Sequence, residues 1–262
     1  MDITTRNFFR LLRAGAFGKQ EQVEPMSACK WRKTMQLALV HHVETETYQG
    51  VEVLGDQFFI QVIPSELREE WAAKAYDVHA NTPPLSDELN KHVQKKMEKL
   101  RSMADPSTDE YQVMKSVLLL TNALLTDGEW IRRLLMLGEL LREHGGNVNS
   151  EKIKKWIHQF RITSMARLQC ALLIELMGLQ LEEIPFGVEP SDINVQPFAS
   201  AIPHGQEQMS FSQGKDIFVH TSNASAVLWN ARRSARFFRF DPLGSVSNLL
   251  SSFTSSLTHI EE

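Results

Sequence analysis

A chain of 262 residues is long enough for one large or two small domains, and its 42% apolar content suffices to bury a core. The formal net charge of −4 gives no global electrostatic argument for nucleic acid or for a membrane. The two cysteines, Cys29 and Cys170, show no Cys-x-x-Cys spacing, and Cys170 within the apolar run 168–173 reads as a reduced, buried thiol.

The periodicity is helical nearly throughout. Phe8, Phe9, Leu11 and Leu12 predict a short helix that stops by Gly18. Ser27 is set to cap a long helix carrying Trp31, Met35, Ala38 and Leu39, ending near Tyr48–Gly50, where glycine tolerates positive φ. Residues 51–62 alternate enough to be the one strand candidate, a hairpin turning at Gly55–Asp56. Pro64 opens another helix, with Glu66, Glu69 and Glu70 near the positive end of its dipole. Pro83 and Pro84 break it, and Ser86 caps a helix of Leu89, Val93, Met97 and Leu100. Two strongly apolar helices are expected around Tyr111–Leu125 and Glu129–His144, the second closed by Gly145 and Gly146. Ser150 caps Glu151–Phe160, and Ile162–Gly178 is apolar on most sides, as a buried helix must be. From Pro185 to about Gln208 prolines and glycines predict an irregular connector, followed by a basic-aromatic region. The expected organisation is therefore a mainly α, irregular helical bundle over 1–185 with at most a short β-hairpin near 51–62. A connector at 186–212 and a C-terminal helical region at 213–262, docked on the bundle, complete it.

No constellation carries recognisable catalytic chemistry. None of the nine histidines shows the His-x-x-x-His spacing of a helical zinc site, and adjacent His41 and His42 point about 100° apart on a helix. Asp105, Asp109 and Glu110 fall where acids favour the N-terminus of the next helix. The feature that stands out is Trp229–Phe240, where Arg232, Arg233, Arg236 and Arg239 interleave with aromatics. Such a stretch can meet an anionic membrane or nucleic acid, or it can pack as a terminal helix with its arginines at the rim. Apolar area on Trp229, Phe237, Phe238 and Phe240 argues for docking. No apolar stretch approaches the ~20 residues that cross a bilayer, and arginines interrupt the opening apolar residues. The expected location is a reduced cytoplasm.

Several segments resemble the uncharacterised nucleotidyltransferase family of bacterial polysaccharide gene clusters. Asn7–Phe17 is similar to its opening helix and Trp31–Tyr48, with Leu39–His42, to the next. Arg142–Ile157, continuing to Leu179, resembles the late helical pair, and Phe237–Val246 the terminal helix junction. Together they cover about half the chain in the family's order. The resemblance implies a catalytic sheet after the helix of Leu89–Leu100, with a Gly-Gly or Gly-Ser turn and an Asp-x-Asp pair for magnesium. Here residues 101–106 lead directly to the next helical segment and no Asp-x-Asp occurs. No family catalytic residue can be carried over and no cofactor is expected. The expectation is a degenerate, non-catalytic accessory protein that binds a protein partner, connected with polysaccharide synthesis or its regulation. An active nucleotidyltransferase with unrecognised metal ligands and an anionic-surface module built on the four arginines stand as alternatives.

Overall fold

A computed structural model describes residues 1–77, 89–126, 130–187, 193–200, 202, 235 and 237–247. The fold is mainly α, with no strand among the described residues. In order, the helices are α1 (Ile3–Phe17), α2 (Ala28–Val40), α3 (Glu44–Val53), α4 (Phe58–Gln61), α5 (Ser65–Ala75) and α6 (Lys91–Met103). There follow α7 (Asp109–Thr126), α8 (Trp130–His144), α9 (Ser150–Gln159), α10 (Thr163–Met177) and α11 (Gln196–Ala199). None is long and apolar enough to cross a membrane.

The hairpin expected at 51–62 is replaced by helix. Thr47, Tyr48, Gly50 and Val51 bury one face of α3, so Val51 continues a helical stripe rather than opening a strand. Gly50 does not end that helix either. A Cβ there would lie 2.0 Å from the Leu11 carbonyl oxygen, and one on Gly15 would lie 1.8 Å from that of Glu46. Two glycines thus let the backbones of α1 and α3 approach side by side. The long helix expected from Ser27 to Tyr48 instead breaks at His41–Val43. His42 takes φ 51°, and Val43 N–H bonds to the Ala38 carbonyl while His42 N–H bonds to that of Leu39. This is the Schellman ending that a glycine usually supplies. Gly18 and Gly178 close α1 and α10 at positive φ, and Arg161 (φ 55°) closes α9.

Contacts divide the chain into two compact units. The first comprises Met1–Leu85, Leu172–Leu179 and Asn194–Lys215, and the second Ser86–Ala171, Gln180–Ile193 and Asp216–Glu262. Within the first, Arg6 and Arg10 of α1 grip Glu24, with Arg6 Nη2 2.7 Å from Oε2 and Arg10 Nη1 2.6 Å from Oε1. Asn7 closes the clasp by donating from Nδ2 to the Glu24 carbonyl and accepting its N–H. Within the second, Gln169 is buried and its Nε2 donates to the Val117 carbonyl and Thr121 Oγ1, holding α10 against α7. Along α10, Met165 and Leu168 in this unit and Leu172, Leu173 and Leu176 in the first are all fully buried. Most of the connector at 186–212 lies outside the described residues.

Candidate functional site: a cleft beside a buried ion pair

Asp241 organises the described C-terminal segment. Its Oδ1 accepts the Gly244 N–H at 2.9 Å and its carbonyl accepts the Ser245 N–H, so Asp241 caps the helical turn 242–247, with Pro242 at the first position. Gly244 has no room for a side chain, since a Cβ would meet Asp241 Oδ2 at 2.6 Å and Leu125 Cδ1 at 2.7 Å.

Helix α6 supplies the basic side chains. His92 and Lys96 lie one turn apart on its inner face, His92 Nε2 3.8 Å from Asp241 Oδ1 and Lys96 Nζ 3.7 Å from Oδ2. Lys96 is 8% exposed and Asp241 5%, so the pair is held almost out of water. Burial lowers the Lys96 pKa, against the upward pull of Asp241. Burial also lowers that of His92, helped by Lys96 and opposed by Asp241. Asn90 links the same parts twice over. Its Oδ1 accepts the His92 N–H at the start of α6 and the Ser247 hydroxyl, while its Nδ2 donates to the Gly244 carbonyl.

This anchoring sets the two residues before Asp241. Arg239 and Phe240 line a cleft of about 90 Å³ together with Ser164, Arg167 and Ile193. Ser164 and Arg167 stand on the first turns of α10, where the N–H groups of Thr163, Ser164 and Met165 precede the first intrahelical bond, Ala166 N–H to Ile162 carbonyl. Phe240 and Ile193 give the cleft an apolar wall. Two arginines and a serine beside the positive end of a helix suit it to an oxygen anion.

Of the four arginines singled out in the sequence, Arg239 lies at the cleft, whereas Arg232, Arg233 and Arg236, like Trp229, fall outside the described residues. The aromatics divide: Phe237 is buried, Phe240 half-buried and Phe238 52% exposed. Sequence reasoning missed Ser164, Arg167, Lys96 and Asp241. The Asp241–Pro242 pair was the one local signal, a helix cap; no periodicity joins it to a lysine 145 positions earlier. The acidic group Asp105, Asp109 and Glu110 has structural partners. Asp105 accepts from Ser107, His144 Nδ1 lies 3.4 Å from Asp109 Oδ1, and Glu110 receives the Asn149 N–H and Lys152 Nζ. Among the described residues no group of three or more His, Cys, Asp or Glu could hold a metal ion. Comparison of the chain with protein-family models, with curated proteins and with solved structures finds no match.

Proposed function

We propose that this chain is a non-catalytic helical binding protein whose second unit receives an anionic group of its partner at the Ser164–Arg167–Arg239 cleft. The observation that carries this reading is that two arginines from separate parts of the chain line one small cavity. Arginine offers a planar fork of donors, and cations that line one cavity are eased by an anion between them. The helical segments that resemble the flanks of a nucleotidyltransferase family, without its Asp-x-Asp sequence, support an accessory role over catalysis. A place in polysaccharide synthesis or its regulation rests on that resemblance alone.

The test is calorimetric titration of the full chain with inorganic phosphate and, separately, with a polyglutamate peptide, in low salt. Binding of either that weakens in Arg239→Ala supports the anion-receiving cleft, and absence of binding by both sinks it. Radiolabelled nucleotide transfer from magnesium–ATP to any fraction of the reaction would overturn the non-catalytic part.

A further inference from the structure

The residues flanking the cleft have an outward face that the cleft's own chemistry does not use. In the turn 242–247, Asp241, Gly244 and Ser245 face inward and are buried, while Pro242, Leu243 and Val246 face outward. Leu243 is 63% exposed, Val246 44%, and Phe238 just before it 52%. Leu243 and Val246 are three residues apart and so share one side of the turn. A surface turn of a water-soluble protein ordinarily points polar groups outward; here every described outward position between Asp241 and Ser247 is apolar. Within the same eleven residues, 237–247, Arg239 lines the cationic cleft.

Resting on the anion-receiving reading of that cleft, we propose that the partner is a phospholipid surface. The phosphate of an anionic headgroup enters the cleft against Arg167, Arg239 and Ser164, while Phe238, Leu243 and Val246 dip into the boundary between headgroups and acyl chains. An apolar edge beside cations is the combination that holds a protein at an anionic bilayer, because each contribution alone is weak and reversible. The cleft, about 90 Å³, is on the scale of one tetrahedral group. The buried Lys96–Asp241 pair anchors the segment that carries both Arg239 and the apolar edge.

The experiment is sedimentation of the full chain with phosphatidylcholine vesicles and with vesicles containing phosphatidic acid, alongside calorimetry with inorganic phosphate. The expected result is binding to the phosphatidic acid vesicles only, falling as salt rises. Arg239→Ala should weaken it by about fivefold, the worth of one surface cation at an anionic leaflet. Leu243→Asp should weaken vesicle binding by about tenfold while leaving phosphate binding in solution unchanged. Both positions are exposed, so unchanged melting of each variant checks that folding is intact. Phosphate binding without vesicle binding overturns the lipid proposal and leaves the anion-receiving cleft standing, as does binding of polyglutamate alone. Vesicle binding indifferent to both substitutions overturns the lipid proposal too. Absence of binding by phosphate, peptide and vesicles removes both.

Discussion

In the first unit Glu24 sits between Arg6 and Arg10 with its side chain 30% exposed, whereas in the second Asp241 faces Lys96 with 5% of its surface open to water. The pairs have the same charges but differ in geometry and surroundings. Glu24 is gripped at 2.6–2.8 Å and never leaves solvent, so it loses little hydration and gains little. Asp241 has given up its hydration for a looser set of contacts, and no other counter-charge pairs with Lys96 among the described residues. A short ion pair at the surface is therefore the dispensable one, and a longer ion pair in the interior is the one the structure depends on.

The largest expected effect follows directly. Asp241→Ala leaves Lys96 buried and unpaired, which should destabilise the protein by about 3–5 kcal/mol in chemical denaturation. The double variant Lys96→Met/Asp241→Leu should recover most of the loss. If the single variant melts like the wild type, the pair does not matter and the contrast fails.

Next comes a change that involves no charge. Gly50→Ala places a methyl group against the Leu11 carbonyl, and overpacking of this kind costs about 1–3 kcal/mol or more. A denaturation midpoint below that of any Glu24 variant would show that the first unit relies on the close approach of α1 and α3 rather than on its clasp.

His41 gives the first unit a buried titrating group of its own. Solvent reaches part of the residue but not its Nε2, and burial, with His42 adding to it, lowers its pKa to about 4. A depressed histidine contributes stability that is whole above the unfolded value of 6.5 and is lost as pH falls towards the folded one. Between pH 7 and pH 5 the loss should be about 2 kcal/mol, and His41→Gln should flatten it in melting curves recorded across that range.

The smallest effect belongs to the clasp. The Arg6 guanidinium, with Arg10 behind it, lowers the Glu24 pKa to about 2. Its contribution is present above the ordinary carboxylate range and is lost as pH falls through about 2, but solvent screens this exposed grip, so Glu24→Gln should lower stability only slightly at neutral pH. A carboxyl resonance that titrates near 4 instead would mean the clasp does not hold in solution.

Much of the fold is legible in the sequence because its information is local. The apolar spacing of Phe8, Phe9, Leu11 and Leu12, the glycine at 18, and the all-round apolarity of 162–178 each describe one helix by itself. The misreadings have a common cause, a local signal overruled by a neighbour. Val51 and Val53 favour strands, but the glycine before them is where α1 fits, and that contact holds the segment helical. His42 ends α2 in a conformation that reads as glycine in a sequence, so that stop could not be seen there, whereas the stop at Arg161 falls where the sequence already separates 151–160 from 162–178. The candidate site was half visible. Arg239 stands out by composition, while Ser164 and Arg167 look like the ordinary start of a helix until the chain returns to meet them.

The division of the chain into units also has a practical meaning for anyone who would cut it. Each unit is assembled from three separate stretches, and α10 contributes residues up to Ala171 to one and from Leu172 to the other. No single cleavage or gene truncation releases either unit whole. A fragment ending at Leu85, for instance, would strip the Arg13 guanidinium of the Leu176 carbonyl that it reaches 163 positions along the chain. Any fragment study therefore has to express both pieces together.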